Sequence, residues 1–184
     1  MNINTAYLTQ VILVIILGIA VATDIRYQKI PNWLTFPAML AAVVFNTLLM
    51  GLSGFLFSFG GIIVGIAVMI IPYLMGGMGA GDAKLMGTVG SLLGPKEVFI
   101  AFLLTALIGG IYALGMLAYY GGFRETLLRY WHMLKMFFLA GKVNYMPPTA
   151  NETRPRMRYG IAIALGTMIA VFMKKPINEI LHLI

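Results

Sequence analysis

The chain has 184 residues, of which 60% are hydrophobic and only 10% charged, and a mean hydropathy of +0.91. Soluble domains are roughly half apolar and a quarter charged, so this composition excludes one and points to an integral membrane protein. The net charge is +7, and the absence of cysteine excludes a disulfide framework, a thiolate zinc site and a cysteine nucleophile.

Spans of ~20 residues with short connections allow about six helices in one domain covering residues 1–184. The first apolar run, 7–23, follows a segment without lysine or arginine, so it is expected to be a retained span and not a cleaved signal peptide. The second covers 34–50 and ends in a glycine-rich turn, Gly51 to Gly54; the third covers 57–75. A shorter fourth run, 85–93, stops at Gly94 and Pro95. The fifth covers 98–120. The last, 159–173, is short for a hydrocarbon core of ~30 Å unless flanking residues or tilt extend it.

Basic residues set the orientation. With the N-terminus outside, ten of the thirteen fall inside: Arg26, Lys29, Lys84, Arg124, Arg129, Lys135, Lys142, Arg154, Arg156 and Arg158. Lys96, Lys174 and Lys175 fall outside. That bias predicts both termini outside a cytoplasmic membrane, with the loops bearing both aspartates on the cytoplasmic side. In the loop 121–158, Arg124, Glu125, Arg129, His132 and Lys135 share an arc of roughly 140° at ~100° per residue. Phe123, Leu127, Trp131, Leu134 and Phe138 lie opposite or beside it. The pattern predicts an amphipathic helix in the cytoplasmic interface, its basic residues facing anionic headgroups, followed by a flexible segment rich in proline and arginine. Topology accounts for the basicity, so nucleic-acid binding is not expected. His132 is assigned no chemistry.

Only two of the six acidic residues are aspartates, Asp24 in "ATDIRYQKIPNW" and Asp82 in "GGMGAGDAKLMG". Ionisable groups beside membrane segments usually face the bundle interior or a watery cavity. Taken singly, each has a structural reading: Asp24 ends a helix and pairs with Arg26 or Lys29, and Asp82 caps one and pairs with Lys84. Together, on one side of the membrane, they suggest a carboxyl pair in which one group keeps a proton while the other stays charged. Such a pair can hydrolyse a peptide without metal or cofactor, the base activating water and the acid protonating the carbonyl oxygen or leaving group. A helix dipole favours charge on Asp82, by under ~2 kcal/mol, which makes it the candidate base and Asp24 the candidate acid. Gly79 and Gly81 are expected to supply unusual backbone angles, or room for another backbone to come close. Lys84 either steadies the pair or snorkels to the headgroups.

The stretch "GAGDAKLMGTVG", residues 79–90, resembles the G-x-G-D-x-K-L motif of the type IV prepilin peptidases. "DIRYQKIPNWLT", residues 24–35, resembles that family's other aspartate motif, with its turn at Ile30, Pro31 and Asn32. The resemblance covers 7–93 and, more loosely, the region "RMRYGIAIALG". It implies that Asp24 and Asp82 are catalytic, that Gly79, Gly81, Lys84, Ile30, Pro31 and Asn32 are motif or support positions, and that no cofactor or metal takes part. The implied activity is an aspartyl endopeptidase of the inner membrane that removes the leader of a type IV pilin-like precursor. The larger family members N-methylate the new amino terminus and carry a four-cysteine zinc domain; with neither cysteine nor a domain between the first two helices, this chain resembles the short peptidases of tight-adherence (Flp) pilus systems. Archaeal preflagellin peptidases share the core. Presenilin-like enzymes share G-x-G-D but add a Pro-Ala-Leu motif absent here. A non-catalytic scaffold of a pilus assembly and a proton-coupled carrier are the competing functions.

Overall fold

A computed structural model describes residues 3–74, 77–120, 128, 131, 132, 135, 139 and 159–181, and these residues form an all-α membrane protein. Six helices follow in order: α1 (Ile3–Tyr27), α2 (Asn32–Met50), α3 (Leu52–Leu74), α4 (Ala80–Leu93), α5 (Pro95–Tyr120) and α6 (Tyr159–Leu181). Four are long and apolar enough to cross a membrane, over Tyr7–Tyr27, Asn32–Met50, Leu52–Leu74 and Pro95–Met116, and α6 carries a shorter apolar stretch, Tyr159–Met173. The amphipathic helix expected within 121–158 lies almost wholly outside the described residues. Positions 128, 131, 132, 135 and 139 are helical and exposed.

Helices run past their apolar cores, because backbone hydrogen bonding continues where side-chain hydropathy falls. α1 therefore extends to Tyr27 and includes Asp24, and α4 begins at Ala80 and includes Asp82. The turn after α2 is tighter than expected: Gly51 alone makes it, at φ 61°, and Gly54 belongs to α3. Gly94 breaks α4 from α5 at φ 87°, and Pro95 opens α5, where its missing N–H costs nothing.

Helix α4 has 14 residues, about 21 Å at 1.5 Å per residue, too short for a ~30 Å core. It is nonetheless central. Leu85 to Leu92 are buried without interruption, the pattern of a helix enclosed by protein on every side. Met69, Val98, Leu17 and Ile163 bring α3, α5, α1 and α6 into the same core. The closest packing is between α3 and α4, where Gly61 meets Gly90 and Gly65 meets the Met86 carbonyl. At the end of α4 away from Asp82, Asn46 donates to Ser58 Oγ at 2.8 Å, and the Ser58 hydroxyl donates to the Ser91 carbonyl at 2.9 Å. These buried bonds tie α2, α3 and α4 together, each worth roughly 0.6–2 kcal/mol in a membrane.

Candidate active site

The two motif segments meet at the end of the bundle. α1 closes with Gln28 in the left-handed region, at φ 52°, and the Gln28 N–H donates to the Asp24 carbonyl at 3.0 Å. The chain then reaches Ile30 and Pro31, whose extended backbone (φ −74°, ψ 142°) caps α2, and the Pro31 carbonyl accepts the N–H groups of Leu34 and Thr35. On the other side, Gly79 caps α4 in an ordinary extended conformation, at φ −87° and ψ 156°. Its N–H donates to Asp82 Oδ2 at 2.9 Å, while its carbonyl accepts the Asp82 N–H at 3.1 Å. Asp82 is thus held in the first turn of a buried helix, and the glycines before it do not loosen it.

Of the two roles expected for these glycines, the structure displays the second. Neither Gly79 nor Gly81 has a positive φ; Gly81 provides space. A Cβ there would lie 3.1 Å from the Ile30 Cβ and 3.4 Å from the Ile30 nitrogen, so the start of α4 presses against the Ile-Pro-Asn turn. Lys84 reinforces that junction, donating to Asn32 Oδ1 at 2.9 Å with its ammonium 5.1 Å from the centre of the Phe36 ring. Ile30, Asn32 and Lys84 therefore join the two aspartate segments. A Cβ at Gly79, by contrast, would meet Asp82 Oδ2 at an ordinary 3.5 Å. Gly79→Ala is expected to leave the thermal midpoint near its wild-type value and Gly81→Ala to lower it, overpacking of this kind costing about 1 kcal/mol or more. Equal midpoints for the two variants would contradict this account of the junction.

Asp24 and Asp82 are both buried, at 7% and 8% exposure, yet both line one cavity of ≈ 360 Å³ with Gln28, Lys29, Ile30, Met78 and Tyr159. Asp82 stands outside the four spans. Burial pushes its carboxyl up from 3.8 to about 6; the Gly79 N–H pulls it down, and the negative charge of Asp24 adds to the rise. That rise opposes the helix dipole, which favours the charged carboxylate. The helix end alone therefore does not decide which carboxyl holds a shared proton.

A third helix also reaches the pair. The Gly160 N–H, in the first turn of α6, donates to Asp24 Oδ2 at 3.0 Å, and Tyr159 lines the cavity. Neither residue was a candidate from the sequence. The available signal was a glycine directly inside the start of the last apolar run.

Two carboxyls line one cavity, each accepting a backbone N–H, and the charge of one raises the other, the setting in which two carboxyls divide acid and base roles. The sequence model of the type IV leader peptidase family matches residues 11–114, which contain both aspartates and the junction between them. The chain belongs to the type IV leader peptidase family. It is 32% identical over 105 residues to the prepilin leader peptidase/N-methyltransferase of Bacillus subtilis (strain 168). That stretch is 55% of this chain and 42% of the relative, so the chain spans less than half of that protein's length. No solved structure matches the chain. The family match ends before α6, so the Gly160 contact lies outside the matched segment.

Proposed function

We propose that this chain is an aspartic endopeptidase that removes the leader of a type IV pilin-like precursor, with Asp24 and Asp82 as its catalytic pair. The observation that carries the reading is the cleft, in which the only two aspartates of the chain lie buried together within the family-matched segment. One carboxylate takes a proton from water, whose oxygen bonds to the scissile carbonyl carbon, while the protonated partner gives its proton to the carbonyl oxygen. Collapse of the tetrahedral intermediate breaks the C–N bond. The proton taken from water passes to the leaving amine, and the carboxyl that served as acid recovers its own from the intermediate's hydroxyl.

The precursor assigned is of the Flp type, and the reaction is cleavage without N-methylation. Supporting this, only residues 28–31 separate α1 from α2, and the chain holds no cysteine for a zinc domain. The basic-residue bias favours a multi-pass protein of the inner membrane with its N-terminus outside and the cleft facing the cytoplasm. Anionic headgroups are the lipid partner suggested by the loop 121–158.

Co-expression with an Flp-type precursor, followed by a mobility shift and N-terminal sequencing, tests the proposal. The expected product has lost its leader and begins with an unmethylated residue. A methylated product would remove the single-activity reading. Failure to cut any of a panel of precursors would remove the peptidase reading in favour of a scaffold.

A further inference from the structure

We propose that α6 is a working part of the dyad: the backbone N–H of Gly160 positions the Asp24 carboxylate, and the residue must be glycine because Asp24 fills the space a side chain would occupy. The inference rests on the assignment of Asp24 to the catalytic pair. It adds to that assignment a group 136 residues away in sequence and outside the family-matched segment.

Three observations converge. First, the Gly160 N–H is one of the four donors that the start of any helix leaves without an intrahelical partner, and here it points at a buried carboxylate at 3.0 Å. A charge-assisted bond of this kind is roughly twice as strong as a neutral one, and it restricts the carboxylate's torsions. Second, a Cβ on Gly160 would lie 2.8 Å from Asp24 Oδ2, 3.1 Å from its Cβ and 3.2 Å from its Cγ. Those atoms belong to a short, buried side chain with little freedom to give way. Third, among the described residues α1 packs on α6 more than on any other helix. The seat of Asp24 relative to Asp82 therefore depends on α6, and α6 is itself fixed by α5. The Tyr159 ring lies where a Cβ on Gly109 would meet it at 3.4 Å, and Gly166 lets α6 approach the Thr105 backbone.

Asp82 is positioned by its own helix, through Gly79. Asp24, in the last turn of α1, accepts the Gly160 N–H from a helix distant in sequence. Each carboxyl thus accepts a main-chain N–H, Asp82 from the start of its own helix and Asp24 from α6.

The test compares wild type with Gly160→Ala in purified full-length protein, using an Flp-type precursor. Gly110→Ala is the control, since nothing lies within 4 Å of a Cβ there. For Gly160→Ala, kcat per folded molecule is expected to fall about 10²-fold, the scale set by a misplaced reacting group. KM should stay within about twofold, because the substrate's other contacts are untouched. Damage confined to folding would instead lower the folded fraction and leave kcat per folded molecule unchanged. A second readout needs no turnover. Gly160→Ala should lower the thermal midpoint when Asp24 is present and leave it unchanged in an Asp24→Ala background, where the space is vacant. A wild-type kcat, or midpoint losses that simply add, would overturn the proposal. If wild type itself cuts no precursor, the peptidase reading fails, and the midpoint cycle alone decides whether Gly160 positions Asp24.

Discussion

Asp24→Asn and Asp82→Asn are each expected to reduce leader cleavage by about 10²–10⁴-fold, the usual contribution of a positioned proton donor or acceptor. Asparagine has nearly the shape of aspartate and retains a carbonyl oxygen, so the N–H groups of Gly160 and Gly79 keep an acceptor. Both variants should therefore insert at wild-type levels, leaving the lost proton chemistry as the only large effect. In the proposed mechanism the two carboxyls act in the same step, so the double variant should be scarcely slower than either single one, as for any group that works as a unit. Initial rates on purified protein, normalised to folded enzyme, check this; either variant cleaving within tenfold of wild type would end the two-aspartate mechanism. Asp24→Asn has a second consequence. It removes the neighbouring charge that helps to raise Asp82, so the Asp82 carboxyl should titrate below its value of about 6 but stay above 3.8, since burial remains. Infrared titration of the carboxyl band measures that shift.

Several of these features are legible in the sequence for identifiable reasons. Composition alone gives the solvent, because a chain that is 10% charged cannot cover a soluble surface. Asp24 and Asp82 stand out because aspartate is scarce here and costly near lipid. Their motif neighbours are visible because the junction is local: Gly81 touches Ile30, and Lys84 bonds Asn32, within the segments that carry the pattern. Helix ends were harder to see. The apolar runs end at Thr23 and begin at Leu85, whereas backbone hydrogen bonding continues through Tyr27 and begins at Ala80, so both aspartates lie inside helices. Gly54 has the composition of a turn but the position of a contact, lying against the Asn46 carbonyl. Gly160 could not be tied to Asp24 at all, since no periodicity relates residues on helices with four others between them. Only tertiary packing brings that N–H to the carboxylate.

The largest effect on stability is expected where no charge is involved. A Cβ on Gly90 would coincide with the Gly61 carbonyl, and a Cβ on Gly61 with the Gly90 carbonyl. The obstacles are main-chain atoms within helices, so no flexible side chain can swing aside. α3 and α4 must separate instead, and overpacking of this kind costs typically 1–3 kcal/mol and occasionally more. The separation also forfeits the close backbone contact that such glycines allow, which in lipid replaces the hydrophobic drive for helices to associate. Gly90→Ala should therefore lower the thermal midpoint in detergent well below that of either Asp→Asn variant. Gly110→Ala, with open space around its Cβ, should leave it unchanged. Equal midpoints for the two alanine variants would show that the seam is not as tight as its geometry implies. The seam also bears on the proposed catalysis: α4 is one unbroken helix from Ala80 to Leu93, so moving Gly90 away from Gly61 moves the whole of α4. Asp82 travels with it, away from the Ile30 turn and from Asp24. Gly90→Ala should accordingly lower cleavage per folded molecule as well as stability, although the substituted residue lies two helical turns from the nearest carboxyl.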